Sequence, residues 1–236
     1  MSDPKPYNAA LDLADRHLAE GRGSKLAYID DEREMTYAGL VSGTKQVANL
    51  LEGLGIAREA RVAVLMLDTV DWPCVFLGAI RAGIVPVALN TLLTTDQYRY
   101  MLSDSRSQAL FVSAALLPVV EPVLGELPFL KHVIVAGGEH GAHHSLADLM
   151  EASAAEHEAA DTSCDEVAFW LYSSGSTGQP KGVMHVHSSL MDTASTYGRH
   201  TLCISEDDVV FSAAKLFFAY GLGNALTFPL SVGATT

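Results

Sequence analysis

Short apolar runs alternate with helix-patterned segments along most of this chain, and that alternation limits the folds open to it. The run 61–67 is apolar after its first residue, which is typical of a strand covered on both faces. Similar runs follow at 85–89, 110–112 and 133–135, with helical segments between them. Strand–helix–strand repetition predicts right-handed crossovers, and therefore an α/β fold with mainly parallel sheets flanked by helices.

Capping and stop residues indicate where the helices begin and end. Thr94 is followed three residues later by Gln97, the spacing of a capping box that opens a helix. Gly21, Gly55 and Gly83 each follow a helix-patterned segment, a position typical of a helix end. We predict helices over 9–20, 40–54, 72–81, 94–103 and 146–155, and a hairpin made of Leu26–Ile29 and Glu34–Thr36.

The segment 137–160 differs in composition from its surroundings and is predicted to be a boundary. It is rich in Gly, His, Ala and Glu, which is typical of a surface loop followed by a short amphipathic helix. We therefore predict a first α/β lobe over residues 1–160. Residues 161–236 are predicted to begin a second α/β lobe that is truncated, because 232–236 has the pattern of the middle of a β-element.

The net charge restricts the ligands and partners of the chain. Fifteen basic residues against 28 acidic ones give a formal charge of −13. Such a surface repels phosphate backbones and anionic lipids, so we expect neither a nucleic-acid partner nor a membrane surface. No secretion signal or membrane span is predicted, since the most apolar stretch, 74–93, is interrupted by charge, glycine and proline. An anionic ligand would need backbone N–H groups and a few local cations.

The cysteine and histidine positions indicate no metal site. The cysteines have no CxxC spacing, so neither a disulfide framework nor a zinc site is predicted, and a reducing cytoplasm is the expected compartment. The histidine-rich segment 139–144 matches no closed ligand set and predicts an exposed loop. His185 and His187 are predicted to share one face of a strand, either as hydrogen-bonded structural residues or near a ligand. The cysteines are Cys74, Cys164 and Cys203.

One loop has the composition of an anion-binding site. The apolar run 167–171 is followed at 172–182 by the sequence YSSGSTGQPKG. Its glycines allow backbone N–H groups to turn toward an anion, and its Ser and Thr hydroxyls can donate to phosphate oxygens. Lys181 adds a positive charge. The segment, called the phosphate loop below, supplies the local site that the acidic surface requires.

Two common phosphate-binding motifs do not fit the sequence. In a P-loop counted from Gly175, the second glycine position holds Pro180 and the final hydroxyl position holds Gly182. In a dinucleotide fingerprint that begins at Gly221, the third glycine position holds Leu226. Neither a P-loop enzyme nor a Rossmann dehydrogenase is supported.

The phosphate loop resembles the signature of the adenylate-forming superfamily, which comprises acyl-CoA synthetases, peptide-synthetase adenylation domains and luciferases. The pattern [ST]-[SG]-G-[ST]-T-G-x-P-K-G-V is met at every position of 173–183. Two earlier segments, MTYAGL at 35–40 and RAGIVPV at 81–87, resemble further elements of the same family in the same order. The resemblance covers essentially the whole chain and implies part of the large N-terminal domain of such an enzyme.

The resemblance implies a two-step reaction that uses ATP, Mg²⁺ and CoA. A carboxylate attacks the α-phosphorus of ATP to give an acyl-adenylate and pyrophosphate, and the CoA thiolate then takes the acyl group and releases AMP. Thr177 and Lys181 are the implied catalytic residues, since they would hold the β- and γ-phosphates. The other implied nucleotide-binding residues are Ser173, Ser174, Gly175, Ser176 and Gly178.

The segment KLFFAYGLGN at 215–224 most resembles benzoate-CoA ligases and close aryl-CoA ligases. The implied substrate is a small aromatic carboxylic acid. Aromatic rings would supply flat apolar walls for it, although two adjacent phenylalanines are also common in cores and Lys215 is also explained by solvation. A fatty-acyl or amino-acid adenylating enzyme and a non-catalytic binding fragment stay open. The implied acid-contacting residues are Phe217, Phe218, Ala219 and Tyr220.

Several elements of the family pattern are not found in this sequence. The aromatic-Gly-x-Thr-Glu element with its Mg²⁺-binding Glu, the ribose-binding Asp, the hinge and the C-terminal domain would all follow Thr236. We therefore predict an N-terminal fragment that is inactive alone. The apolar surface exposed by such a division would favour self-association into a homo-oligomer.

Overall fold

The computed structural model describes residues 5–174 and 178–236, and its strands alternate with helices as predicted. The strands are β1 (Leu26–Ile29), β2 (Glu34–Thr36), β3 (Arg61–Leu65), β4 (Val85–Ala88), β5 (Ala109–Ser113), β6 (His132–Ala136), β7 (His144–Ser145), β8 (Val167–Ser173) and β9 (Lys181–Val186). The helices are α1 (Arg16–Ala19), α2 (Tyr37–Gly53), α3 (Asp71–Arg81), α4 (Thr95–Ser105), α5 (Leu117–Leu124), α6 (Leu146–Glu151), α7 (His187–Thr193), α8 (Ala219–Leu222) and α9 (Phe228–Val232).

Within the described residues, the main sheet has seven strands in the order β7-β6-β5-β3-β4-β8-β9. All neighbouring strands are parallel except β8 and β9, which are antiparallel. Strands β1 and β2 form a separate antiparallel hairpin. The α/β fold with a mainly parallel sheet is confirmed. Strands from both sides of residue 160 belong to the same sheet, and the division into two lobes stays a prediction.

Helices cover both faces of the sheet, which explains why its central strands are continuously apolar. On one face the core contains Trp72 and Phe76 from α3 packed against α2. On the other face it contains Tyr98 and Met101 from α4 together with Val120 from α5. Because β3 to β6 are buried between these layers, their side chains have no solvent face to alternate with.

Local signals predicted α4 correctly. The Thr94 N–H donates to Gln97 Oε1 at 3.0 Å, and the capping box predicted at this helix start is present. The helix ends at Ser105, two residues later than predicted. Its C-terminal neighbour Arg106 has φ of +52°, a left-handed conformation that stops the helix.

Two further boundaries differ from the sequence-based expectations. Helix α6 ends at Glu151 rather than 155, because Asn49 Nδ2 donates to the Ala154 and Glu156 carbonyl oxygens and holds that segment out of a helix. The β-element expected over 232–236 begins later, since Val232 ends α9. Residues beyond it do pair with strands, with the Thr236 N–H donating to Ala27 O at 2.9 Å.

The described part of the chain contains no helix that is both long and apolar enough to cross a membrane.

Close packing of α2 against α3 depends on Gly78. A Cβ atom at this position would lie 2.6 Å from Val47 Cβ and 2.8 Å from the Thr44 carbonyl oxygen. We predict that Gly78→Ala lowers the free energy of unfolding by about 2 kcal/mol, since overpacking outweighs the higher helix propensity of alanine. Gly53→Ala in α2 is the matched control, because its Cβ would meet nothing within 4 Å. Urea denaturation measures both, and equal stability of the two variants would contradict this packing.

Candidate functional site

A cavity of about 270 Å³ opens at the carboxyl ends of β4 and β8. Ligands of parallel α/β sheets bind at this edge, where the loops that follow the strands converge. Helix α4 forms one side of the cavity and the phosphate loop forms another. Its lining consists of Ala88, Asn90, Leu93, Gln97, Met101, Tyr172, Ser173, Ser174, Pro180, Phe217 and Phe218.

The antiparallel pair β8 and β9 forms the two stems of the phosphate loop. Ser173 on the first stem lies opposite Lys181 on the second, and Tyr172 lies opposite Gly182. A Cβ atom at Gly182 would lie 2.9 Å from Trp170 Cε3, so glycine lets the aromatic side chains of β8 lie across β9. The sequence before the second stem turns through Gly178, whose φ is +95°. The structure therefore requires glycine at these two positions of the loop.

Helix α4 contacts the phosphate loop at Tyr172 and at Pro180. The Tyr172 hydroxyl lies 2.7 Å from Asp104 Oδ2 and 3.2 Å from the Met101 carbonyl oxygen. Burial, strengthened by the Asp104 carboxylate, raises the pKa of Tyr172 well above its ordinary value, so the phenol stays protonated and donates. One residue before the other stem, the Tyr100 hydroxyl donates to the Pro180 carbonyl oxygen at 3.2 Å.

The predicted phosphate-binding residues fall into three groups. Ser173 and Ser174 border the cavity. Lys181 is exposed at the start of β9, and its ammonium forms no ion pair with the part of the chain that the structure describes. Its charge is therefore available to an anion. The predicted roles of Gly175, Ser176 and Thr177 lie outside the described residues.

The predicted acid-binding residues are only partly brought to the cavity. Phe217 and Phe218 line it, with their ring centroids 4.4 Å apart. Ala219 and Tyr220 begin α8 and lie outside the lining, and the Tyr220 side chain is 70% exposed. The roles of all four residues stay predictions.

A tight turn and an ion pair hold the phenylalanine segment in place. The Phe218 N–H donates to the Lys215 carbonyl oxygen at 3.0 Å. The Lys215 ammonium lies 3.7 Å from Asp68 Oδ2, and the Leu216 N–H donates to the same carboxylate at 3.3 Å. Burial raises the pKa of Asp68 above its ordinary value. Lys215 is thus paired with a residue of the turn after β3, while its side chain stays 56% exposed, in keeping with the solvated lysine considered in the sequence analysis.

The two histidines after the loop are structural. His185 stacks on Phe169 with ring centroids 4.6 Å apart, and burial lowers its pKa. His187 accepts a hydrogen bond from the Ala9 N–H through Nδ1 at 3.2 Å, and burial lowers its pKa to about 4. The expectation that both share one strand face is wrong, because β9 ends at Val186 and His187 begins α7.

Sequence reasoning missed the residues that α4 and the preceding turn contribute to the cavity. Asn90, Leu93, Gln97 and Met101 carry no recognisable ligand-binding pattern, and Gln97 was identified only as a capping residue. The available signal was positional, since Asn90 directly follows a predicted strand. Such residues become candidates once β4 is known to lie beside β8.

The described residues supply no cluster of three or more His, Cys, Asp or Glu side chains suited to a metal ion. The loop stems offer hydroxyls, backbone groups and one ammonium, which suit phosphate oxygens rather than Mg²⁺. We therefore assign no Mg²⁺ ligands among the residues that the structure describes.

The fold and the loop define a class of enzymes, and the comparison with known proteins agrees. The chain belongs to the AMP-binding enzyme family, which matches residues 15–236. The resemblance drawn from the loop signature is confirmed.

Several aryl-CoA ligases are among the curated proteins that resemble this chain. The chain is 51% identical to the 4-hydroxybenzoate–CoA/benzoate–CoA ligase of Rhodopseudomonas palustris over 232 residues, covering 98% of this chain and 43% of that enzyme. It is 53% identical to the benzoate–CoA ligase of Thauera aromatica over 233 residues, covering 98% and 44%. The chain therefore spans less than half the length of these relatives.

Solved structures give the same grouping. The anthranilate CoA ligase AuaEII in complex with anthranoyl-AMP superposes with a TM-score of 0.94 at 38% identity, covering 98% of this chain and 45% of that one. A benzoate CoA ligase from Burkholderia xenovorans LB400 superposes with a TM-score of 0.89 at 47% identity, covering 97% and 44%.

The position of the phenylalanine segment depends on Gly221. A Cβ atom there would lie 2.0 Å from the Lys215 carbonyl oxygen and 2.7 Å from the Ala214 carbonyl oxygen. Because these backbone carbonyl groups cannot move without disrupting the turn, Gly221→Ala is expected to lower the free energy of unfolding by about 3 kcal/mol. Gly125→Ala, whose Cβ would meet nothing within 4 Å, controls for loss of glycine. If chemical denaturation gave the same stability for both variants, the tight turn would be refuted.

Proposed function

We propose that the protein containing this chain is an ATP-dependent, AMP-forming aryl-CoA ligase that acts on benzoate or a close aromatic acid. One observation carries the proposal: the cavity at the carboxyl edge of the sheet is bordered both by the phosphate loop, at Ser173 and Ser174, and by the aromatic pair Phe217 and Phe218. An acid-activating enzyme needs this adjacency, because the carboxylate must meet the phosphates of ATP.

The proposed reaction is driven by positioning and charge stabilisation. A carboxylate oxygen bonds to the α-phosphorus of ATP as pyrophosphate leaves, and the thiol of CoA then displaces AMP from the acyl carbon. Lys181 and the loop hydroxyls, including Thr177, would hold the β- and γ-phosphates and stabilise the departing pyrophosphate. When bound, Mg²⁺ would supply further positive charge. The protein forms no covalent bond to the substrate in this scheme.

The lining of the cavity supports an aromatic acid over an aliphatic one. Its volume of about 270 Å³ is small for a ligand site and suits a single ring better than a long chain. Phe217 and Phe218 offer flat apolar surface, and Met101 and Leu93 add further apolar side chains to the lining. The curated names of the relatives, which specify benzoate and hydroxybenzoate, support the same class of acid.

Further proposals concern the whole protein. We propose a first lobe over 1–160 and a second lobe beginning at 161, a cytoplasmic location, and self-association of the isolated chain. We also propose that residues 1–236 alone do not complete the reaction, because the chain spans about 44% of the length of its relatives.

The charge of Lys181 provides the first functional test. Lys181→Ala in the complete protein is expected to lower kcat/KM for ATP about 100-fold, since a charge that stabilises the departing phosphates is lost. Steady-state formation of the acyl-CoA product measures it. Lys131→Ala is the matched control, because Lys131 is also exposed but lies before β6, at the amino edge of the sheet. An equal effect of both substitutions would argue against phosphate binding by Lys181.

The choice of acid provides the second test. Thermal unfolding of the complete protein is compared with benzoate, a long-chain fatty acid and an amino acid, each added with ATP. Ligands that bind the folded state raise the melting temperature, and we expect the largest shift with benzoate. A larger shift with the fatty acid or the amino acid would favour that class of adenylating enzyme. ATP binding without a shift from any acid would favour a non-catalytic binding role.

A further inference from the structure

Helix α4 contacts the phosphate loop near both ends of the loop. On the first stem, the Tyr172 hydroxyl lies 2.7 Å from Asp104 Oδ2. Directly before the second stem, the Pro180 carbonyl oxygen accepts from the Tyr100 hydroxyl at 3.2 Å. Tyr100 and Asp104 are four residues apart on one helix, so they lie on the same face. One rigid element therefore holds the two strands that enter and leave the loop.

The helix itself is firmly fixed to the sheet. Tyr98, Met101 and Leu102 are buried against the core, and the capping box sets the first turn. The Tyr98 hydroxyl also donates to the Asn90 carbonyl oxygen at 2.8 Å, which fastens the helix start to the turn after β4. Because the core fixes α4, the contacts of α4 with Tyr172 and Pro180 also fix the positions of these two loop residues.

A loop of small residues binds an anion well only if its N–H groups are already oriented. Ordering a flexible backbone costs free energy for each residue, and fixing both ends lowers that cost. The paired strands fix the stems relative to each other, and Tyr100 and Asp104 fix them relative to the sheet. Neither residue lines the cavity, so each would act through the loop.

We propose that Tyr100 and Asp104 are positioning residues for nucleotide binding, acting through Pro180 and Tyr172 respectively. The proposal rests on the proposed function, because it assigns the phosphates of ATP to the loop. It predicts that loss of either contact weakens the interaction with ATP more than the interaction with the aromatic acid, because Phe217 and Phe218 belong to a separate segment of the lining.

The test compares Tyr100→Phe and Asp104→Leu with wild type in the complete protein. Each substitution is expected to raise KM for ATP about fivefold, with KM for the acid changed less than about twofold. Asp104→Asn retains an acceptor oxygen and should stay within about twofold of wild type. Tyr7→Phe is the matched control, since the Tyr7 phenol donates to Asp12 at 2.9 Å and neither residue borders the cavity.

Hydrogen–deuterium exchange supplies a second readout that does not require catalysis. Amides in a peptide spanning β8, the loop and β9 should exchange faster in Tyr100→Phe and Asp104→Leu, and at the wild-type rate in Tyr7→Phe. Unchanged KM for ATP together with unchanged exchange would overturn the proposal. Equal increases in KM for ATP and for the acid would also overturn it, since they would indicate general destabilisation.

Failure of the proposed function gives a different result. If wild type activated no aromatic acid but bound ATP in a calorimetric titration, the assigned reaction would be wrong. ATP binding by the variants would then test the positioning role. Weaker ATP binding by Tyr100→Phe and Asp104→Leu, with normal binding by Tyr7→Phe, would support it. Equal binding by all variants, or no ATP binding by wild type, would overturn it.

Discussion

The parallel pairing of β4 with β8 is the interaction on which the site depends. Val87 lies opposite Trp170 and Ala88 opposite Leu171, which joins segments more than eighty residues apart in sequence. Because both strands end at the same edge, the turn after β4 meets the phosphate loop there. Helix α4 follows that turn directly and so lies beside the stems of the loop. Without this register, the contacts of Tyr100 and Asp104 could not form.

The net negative charge of the chain opposes the binding of anionic ligands. At −13 the chain repels polyphosphates, so any binding of ATP must come from short-range groups. In the proposed site these groups are the backbone N–H groups and hydroxyls of the phosphate loop together with the exposed Lys181. Lys215, two residues before Phe217, is paired with Asp68 at 3.7 Å, whereas Lys181 has no ion-pair partner among the described residues.

Features encoded by neighbouring residues could be predicted from the sequence. The buried strands, the capping box at Thr94 and the loop signature each depend on a short stretch, and each prediction was confirmed. Other features depend on contacts distant in sequence. The end of α6 is set by Asn49, and the start of α7 at His187 accompanies a hydrogen bond from the Ala9 N–H.

The residues of the candidate site also fall into those that local sequence patterns predicted and those that depend on contacts distant in sequence. Ser173, Ser174, Phe217 and Phe218 were predicted from local patterns, and the structure places them around one cavity. The contribution of α4 could not be predicted, because nothing in its own sequence indicates that β4 lies beside β8. The predicted pocket residues Ala219 and Tyr220 begin α8 and lie outside the lining.

Exchange of labelled pyrophosphate into ATP by the complete protein tests the central claim most directly, since it reports the adenylation step without CoA. Exchange that requires benzoate and is strongly reduced in Lys181→Ala is the predicted result. Absence of benzoate-dependent exchange by a protein that binds ATP, or exchange unaffected by Lys181→Ala, would contradict the assignment of this loop and cavity to the activation of an aromatic acid.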